Sequence, residues 1–222
     1  FKVHDAFNEL QEPRSGSIPE EITHITGITD DMVRGQRINA DKVAEIVTPA
    51  ALIIAHNASF DRKFAEKMFD VFSTKAWACS MTQVPWAEEH FDGAKLEYLA
   101  IKSGFFYDAH RAAVDCRAAI ELLSKPLPRS GKLTLQALLE EARKPMYRVW
   151  AEGSPFDFKD ILKARGYRWS DGNDGKFRSW YRDVLEDGLE DELSYLRKDI
   201  FQRDADIPAV KITAFDRFSN RV

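Results

Sequence analysis

The chain has 222 residues, of which 44% are hydrophobic, and this is enough for one sizeable core. Its net charge of −4 argues against non-specific polyanion binding by the whole protein, and no apolar run approaches the roughly 20 residues that span a bilayer. Two distant cysteines, Cys79 and Cys116, fit no metal or disulfide spacing, which favours a reducing cytoplasm.

The first 125 residues alternate between strand-like and helix-like patterns. Residues 1–10 predict a strand, Pro19 opens a short helix that Gly27 can end, and Thr29 can cap the next helix. Further along, the pattern predicts a helix at 40–47, a strand at 51–55, a helix at about 59–72, a strand at 75–79, and helices at 95–102 and 111–124. This alternation predicts an α/β domain over residues 1–125, with a largely parallel sheet.

A stretch rich in proline, PLPRSG at 126–131, predicts a linker. We assign residues 126–149 to this linker and a helix that Thr134 caps. Residues 150–222 then form a small C-terminal α+β module. Within it, 150–182 predicts a helix and a β-hairpin that turns at Asp171-Gly172-Asn173, and a further helix runs through 190–200.

Basic and aromatic residues are interleaved near the start of the C-terminal module. Residues 143–182 contain ten Lys or Arg against five Asp or Glu, together with nine aromatic residues. This mixture suits nucleic acid, through phosphate pairing and base stacking, and makes Lys176 and Arg178 candidate contacts. A small aromatic core with a solvated basic rim explains the same pattern, so a structural role stays open. We expect the tryptophans of this segment to be largely buried.

An amide and an acid follow the apolar run at 51–55, in the sequence AHNASFD. Acids where strands end in an α/β domain are good ligands for Mg²⁺ or Mn²⁺. One acid does not hold such an ion usefully, so Asp61 needs partners from elsewhere in the chain. A structural alternative is that Asp61 caps its own helix or pairs with Arg62 or Lys63.

The second candidate stretch is DAHRAAVDCRAAIELL, in which His110 lies at the mouth of a helix and Asp115 inside it. The alanines of this helix would let it approach the sheet closely and bring Asp115 toward Asp61. A histidine there could take a proton from metal-bound water. Taken singly, His110 could be a surface histidine and Asp115 could pair with Arg111.

Three stretches in this order resemble the DEDDh 3′–5′ exonucleases, which include the proofreading subunit of bacterial replicative polymerases, ribonuclease T and oligoribonuclease. IPEEITHITGITDDMV at 18–33 is similar to the family's Ile-Thr-Gly-Ile-Thr turn. IIAHNASFD at 53–61 is similar to the second exonuclease motif, and HRAAVD at 110–115 has the His-x4-Asp spacing of the third. The likeness covers residues 1 to about 125.

The resemblance implies a ribonuclease H-like mixed sheet with helices on both faces. It also implies a 3′–5′ exonuclease that acts on the 3′ ends of single-stranded DNA or RNA in the cytoplasm, in a polymerase or repair complex. Two Mg²⁺ or Mn²⁺ ions per intact site would support hydrolysis of the terminal phosphodiester, with release of nucleoside 5′-monophosphates. The sequence does not separate DNA from RNA.

By the same resemblance, Asp61 and Asp115 are metal ligands and His110 is the general base. The implied substrate-binding residues are Asn57, Phe60, Thr26, Gly27 and Ile28. For Phe60, packing in the core is favoured over contact with the terminal base.

The family's first motif, Asp-x-Glu on the central strand, occurs nowhere in this sequence. Residues 1–10 look like the family's third strand, so we expect the first two strands upstream of Phe1 and expect the chain as given to be inactive. The alternative is a non-catalytic nucleic-acid-binding or polymerase-associated protein that retains the fold.

Overall fold

The computed structural model describes residues 2–14, 16–172 and 177–221. The chain divides into two compact units, residues 1–142 and 143–222. Each unit has its own cluster of buried hydrophobic side chains.

Seven helices and two strands of the first unit precede the boundary region: α1 (Glu20–Thr26), α2 (Asp30–Val33), α3 (Ala40–Val47), β1 (Ile53–Ala55), α4 (Ala58–Met68), β2 (Trp77–Cys79), α5 (Leu96–Lys102), α6 (Ala112–Ser124) and α7 (Thr134–Arg143), counted over the described residues. Helix α4 ends earlier than the predicted residue 72. A 3₁₀ turn at Asp70–Thr74 follows it, after Phe69 adopts an extended backbone.

Strands β1 and β2 pair in parallel, with Ile53 opposite Trp77 and Ala55 opposite Cys79. Successive residues of β2 face different helices. The guanidinium of Arg62 in α4 lies 5.5 Å from the centre of the Trp77 ring, whereas Ala78 packs into the cluster that α5, α6 and α7 form. The prediction of an α/β fold with helices on both faces is therefore confirmed.

The predicted strand at 1–10 is wrong for the part of it that the structure describes, residues 2–10, which have no strand assignment. A strand requires a neighbouring backbone to accept and donate its hydrogen bonds. Here Glu9 of the segment, and Glu12 just after it, bind a loop instead. Glu9 accepts from the N–H of Asn39 at 2.7 Å, and Glu12 accepts from the N–H of Gly35.

Local capping signals are confirmed where α1 ends and α2 begins. Gly27 follows α1 with φ of +65°, a conformation that glycine adopts at little cost, and its N–H donates to the carbonyl of Thr23. The Thr29 side chain accepts from the N–H of Met32. The predicted cap at Thr134 is wrong, because Thr134 is the first residue of α7 and its hydroxyl donates to the carbonyl of Lys125.

The PLPRSG stretch, predicted as a linker, lies inside the first unit. Leu127 is buried in the core cluster, and Pro126 and Leu133 form an antiparallel bridge. The buried carboxylate of Glu89 accepts from the N–H groups of Arg129 and Ser130, at 2.9 and 3.0 Å. These bonds close the stretch into an ordered turn, and the boundary between the units follows α7.

The second unit is α+β, as predicted. Its described elements are β3 (Met146–Ala151), α8 (Lys159–Ala164), β4 (Arg168–Trp169), β5 (Trp180–Leu185), α9 (Leu189–Tyr195) and β6 (Ala209–Ile212). The antiparallel sheet has the order β4-β5-β3-β6, and a π-helical turn at Leu196–Phe201 extends α9. Val149 and Ala151 of β3 pack against buried leucines of α8 and α9.

The predicted hairpin is confirmed as the β4–β5 pair, in which Trp169 lies opposite Trp180. Asn173, expected in its turn, lies outside the described residues. The expectation that the tryptophans are largely buried is wrong for Trp169, which is 52% exposed, whereas Trp150 is 5% exposed. Trp169 belongs to an edge strand with a neighbour on one side alone, so less of its surface is covered.

No helix among the described residues combines the length and hydropathy that a membrane span requires.

Candidate functional site

Asp61 lies in the first turn of α4, directly after β1. The residue is exposed as a whole, but partial burial of its carboxyl group raises the pKa of Asp61, and a hydrogen bond from its own backbone N–H offsets part of this rise. The neighbouring Arg62 is buried and pairs with Glu66 at 2.7 Å. The protein therefore holds a carboxylate where the surrounding chain disfavours its charge.

Asp115 lies in the first turn of α6 and interacts with Tyr107. Burial, the charges of Asp115 and Glu97, and a hydrogen bond to Asp115 raise the pKa of Tyr107 to about 12. A neutral phenol donates to the carboxylate, so Tyr107 orients Asp115. The sequence reasoning missed Tyr107, because a lone tyrosine eight positions before an acid carries no periodic signal.

Cys116 connects the two acids electrostatically. Cys116 is exposed as a whole, but partial burial of its sulfur atom raises the pKa of the thiol, and the carboxylates of Asp115 and Asp61 raise it further. The charges of both acids thus affect the same thiol, although the acids are 54 positions apart in the chain. The fold brings the ends of α4 and α6 that carry these carboxylates into one neighbourhood.

His110 and Arg111 precede α6 directly. His110 is exposed and has φ of +72°, a left-handed conformation that few non-glycine residues adopt. Arg111 occupies the N-cap position with an extended backbone. The reversal of the chain at His110 directs the polypeptide into the helix that carries Asp115, so the histidine and this acid belong to the same turn region.

Asn57 and Phe60 flank the start of α4. Asn57 has φ of +98° and ψ of 53°, and its side chain makes no capping hydrogen bond, so its backbone conformation forms the junction between β1 and α4. The interpretation of Phe60 as a core residue is wrong: it is 59% exposed, and its ring centre lies 4.8 Å from that of Phe64, itself 56% exposed.

His56, which ends the same strand, has a structural role. Its Nε2 donates to the carbonyl of Ala94 at 2.7 Å, which leaves Nδ1 to accept from the hydroxyl of Ser80 at 2.9 Å. Burial lowers the pKa of His56, and the hydrogen bond to Ala94 opposes this effect. A neutral histidine joins β1 to the segments after β2 and before α5.

A cleft of about 740 Å³ contains two of the predicted substrate-binding residues, Thr26 and Ile28. Arg111 and Ala112, at the start of α6, lie on its other side. A Cβ atom on Gly27 would come within 3.3 Å of the Arg111 guanidinium, so the turn and the arginine approach closely. The sequence reasoning assigned Arg111 no role in binding.

The described acids fit part of a divalent-cation site. Asp61 and Asp115 offer the carboxylate oxygens that Mg²⁺ and Mn²⁺ prefer, and the raised pKa of Asp61 would be relieved by a nearby cation. Across residues 2–14, 16–172 and 177–221, no three His, Cys, Asp or Glu side chains form a group that could hold a metal ion. A complete site would need further oxygen ligands.

One of the two candidate nucleic-acid contacts of the second unit, Arg178, lies between β4 and β5. Arg178 is exposed, and Lys176 lies outside the described residues. Gly172 packs against Arg178 so closely that a Cβ on the glycine would lie 2.9 Å from the Cβ of Arg178.

Comparisons with known proteins place the first unit in a family. A family model described as exonuclease, RNase_T, matches residues 2–123. The DNA polymerase III PolC-type of Clostridium perfringens (strain 13 / Type A) is 32% identical over 129 residues, 55% of this chain and 9% of that protein. The chain thus spans about a tenth of the length of this curated relative. No solved structure matches the chain. Because the family model covers more than half of the chain, the protein belongs to the RNase_T exonuclease family.

Proposed function

We propose that this exonuclease-family chain serves 3′–5′ hydrolysis of the terminal phosphodiester of single-stranded DNA or RNA, with release of nucleoside 5′-monophosphates. The observation that carries the proposal is the match of the exonuclease model to residues 2–123, the segment that contains Asp61 in the first turn of α4 and Asp115 in the first turn of α6. Family membership supports the reaction class, and the pair of acids supports the place where it occurs.

In this proposal Asp61 and Asp115 would hold Mg²⁺ or Mn²⁺, with two ions in the complete site, and these cations would supply charge stabilisation for the phosphodiester. His110 is exposed beside α6 and takes the proton of the attacking water. Tyr107 orients the Asp115 carboxylate by donating a hydrogen bond to it.

The remaining roles concern substrate. The turn at Thr26, Gly27 and Ile28 borders the cleft with Arg111, whose guanidinium suits a phosphate of the strand. Asn57 and the exposed Phe60 lie on either side of the α4 start, beside Asp61, and contact the terminal nucleotide.

The chain by itself is expected to be inert. Two dications roughly 4 Å apart repel each other strongly, and acids shared between them must offset the repulsion. Asp61 and Asp115 supply two carboxylates, and this sequence contains no Asp-x-Glu that could supply two more. We therefore expect weak occupancy by at most one cation. His110 then has no activated water, because the pKa of free water lies far above that of imidazole and free water does not yield its proton to imidazole at useful rates.

The test follows 5′-labelled single-stranded oligonucleotides of DNA and RNA in Mn²⁺. It compares this chain, a chain extended at its N-terminus by a segment with an Asp-x-Glu strand, and the extended chain with Asp115→Ala. We expect shortening from the 3′ end by the extended chain alone. Robust trimming by the short chain, or an Asp115→Ala variant as fast as its parent, would contradict the proposal.

The alternative is a non-catalytic protein that retains the exonuclease fold, binds nucleic acid and associates with a polymerase or repair complex. It is favoured by the presence of two acids, not a larger cluster, among the described residues. An extended chain that binds the labelled oligonucleotides but leaves them intact in Mn²⁺ would support this alternative.

A further inference from the structure

The second unit exposes a tryptophan on the edge of its sheet. Trp169 is 52% exposed, and it lies on β4, which pairs with β5 on one side. Burial of so large an apolar side chain is favourable, by about 25 cal/mol for each Å² removed from water. A ligand that covers this ring would recover that free energy.

Neighbouring residues hold the Trp169 ring in place. It meets the Trp180 ring at 70° with 5.6 Å between ring centres, and Trp180 packs against the core of the unit. With this contact in place the Trp169 side chain is still 52% exposed, so much of its surface is open to a ligand. A ring positioned in advance loses little side-chain entropy when it binds.

Two arginines accompany this ring on the hairpin. Arg168, which is 63% exposed, and Arg148 both pair with the Asp183 carboxylate. The N···O distance is 3.2 Å for Arg168 and 2.6 Å for Arg148. Two guanidinium groups on one carboxylate leave an excess positive charge. Arg178 is exposed on the other side of the hairpin turn, and its position is held by the close packing of Gly172.

The hairpin is closed on this side of the turn by a hydrogen bond between the N–H of Ser170 and the carbonyl of Ser179, at 2.9 Å. Trp169 and Arg168 are successive residues of β4 and point to opposite faces of the sheet, where Trp169 contacts Trp180 and the Arg168 guanidinium lies 5.0 Å from the centre of the Tyr181 ring.

An exposed ring and a guanidinium on the two faces of one sheet edge suit a ligand that passes over that edge and combines flat rings with negative charge. Residues 143–182 contain ten Lys or Arg against five Asp or Glu, and this positive balance also favours a negatively charged ligand. In a duplex the bases are already stacked on each other, whereas a single strand offers them to the protein.

We propose that the hairpin edge, defined as Arg168, Trp169 and Arg178, binds single-stranded nucleic acid. Trp169 stacks on a base, and Arg168 and Arg178 contact phosphates on either side of it. The substrate class rests on the proposed exonuclease function. The new element is a second place, outside the RNase_T-matched segment, where the chain holds the strand.

The experiment measures the binding of a fluorescein-labelled oligothymidylate of about 20 nucleotides to the full chain by fluorescence anisotropy, in EDTA and low salt. Trp169→Ala should weaken binding about tenfold, the effect of losing one stacked base, and Trp169→Phe should retain most of the affinity. Arg168→Gln and Arg178→Gln should each reduce the slope of log K against log salt by about 0.7.

Phe156→Ala is the matched control. Phe156 is a second exposed aromatic residue of the same unit, with the Lys159 ammonium 4.2 Å from its ring centre, and the proposal gives it no role. Its substitution should leave affinity unchanged. The proposal is wrong if Trp169→Ala binds as tightly as the parent, or if Phe156→Ala weakens binding equally. Circular dichroism and the Trp169→Phe variant separate lost binding from lost folding.

The assay contains no divalent cation, so its result is independent of hydrolysis. A parent chain that binds no oligonucleotide overturns the hairpin-edge proposal, whatever the extended chain does to labelled 3′ ends. Binding that depends on Trp169, together with an extended chain that trims nothing, overturns the exonuclease proposal alone.

Discussion

At the scale of single residues, Asp61 carries a conflict between stability and function. A carboxylate in the first turn of a helix usually stabilises it, since the helix dipole is positive there. Burial around Asp61 acts in the opposite direction and raises its pKa above the ordinary 3.8. Residues that destabilise the fold in this way are typical of functional sites.

Asp61→Asn should therefore raise the free energy of unfolding at neutral pH. A folded-state pKa above the unfolded value means that the native state is favoured while the acid is protonated, and that this advantage is lost as pH rises through the folded-state pKa. The gain from the amide should be present at neutral pH and vanish below the ordinary value of 3.8. We expect a small gain, because the side chain keeps contact with water. Urea unfolding across this pH range measures it.

Asp41→Asn is the control for this prediction. Asp41 lies in the first turn of α3, where its charge supports the helix dipole. Its amide variant should be less stable at neutral pH, by roughly 0.5 kcal/mol. Equal effects of the two substitutions would show that Asp61 is an ordinary first-turn acid.

At the scale of elements, the junction between β1 and α4 depends on one backbone conformation. Asn57 turns the chain with φ of +98°, so the helix begins at Ala58 and its first turn carries Asp61. Asparagine tolerates this region better than most residues do, and glycine tolerates it best. The element boundary and the position of the acid are thus coupled.

Asn57→Gly should leave the thermal stability close to that of the parent, and Asn57→Val should reduce the free energy of unfolding by about 1–3 kcal/mol. The physical reason is the clash of a branched Cβ at positive φ. Differential scanning calorimetry tests both. If Asn57 also binds the terminal nucleotide, Asn57→Gly keeps the fold and weakens oligonucleotide binding. A valine variant as stable as the glycine variant would contradict the assigned strain.

Element types followed from sequence better than element ends did. Helix α3 has the predicted bounds of 40 and 47, because Asn39 caps it and its apolar residues recur at helical spacing. Residues 2–10 have a strand-like pattern without a strand, since pairing partners are not a property of the segment itself. The end of α4 at Met68 was missed because Phe69 turns to an extended backbone without glycine or proline.

At the scale of the whole molecule, each unit has an apolar core, and the second unit adds a nearly buried ionic cluster to it. In the first, Leu99, Leu122 and Leu138 pack in an apolar cluster. In the second, the nearly buried Glu192 accepts hydrogen bonds from Arg165, at 3.0 Å, and from Arg182, at 2.8 Å.

Tyr167 donates a further hydrogen bond to Glu192 at 2.8 Å. Burial raises the pKa of Glu192, but the hydrogen bonds from Arg165 and Tyr167 and the nearby positive charges outweigh it, so the pKa is lowered. The Glu192 carboxylate thus pairs with the guanidinium groups of both Arg165 and Arg182.

Glu192→Gln should lower the stability of the second unit by about 2–3 kcal/mol, less than the roughly 3–5 kcal/mol of most broken buried pairs, because both arginines are about a third exposed. Hydrogen exchange followed by mass spectrometry should show faster exchange at Val149 and Leu162 and unchanged exchange at Leu122. Glu190→Gln, on the exposed side of α9, is the control and should change neither. Uniform acceleration along the chain would contradict separate cores.

The sequence by itself determined the family, the α/β character of the first unit, and the identity of Asp61, His110 and Asp115 as candidates. Motif order, hydrophobic periodicity and capping residues depend on residues that are near one another in the chain, so the sequence alone reveals them. Tyr107 and Arg111 were missed as parts of the site because their roles depend on neighbours that are close in space alone.

The tertiary structure alone decided that the charges of Asp61 and Asp115 both raise the pKa of the Cys116 thiol. It also decided that Phe60 is exposed, and that Trp169 is exposed while Trp150 is buried. Burial and electrostatic interaction depend on distances between segments, and the sequence pattern of an aromatic residue is the same on a covered strand and on an edge. The order of strands in the sheet, which put β4 at the edge, made that difference.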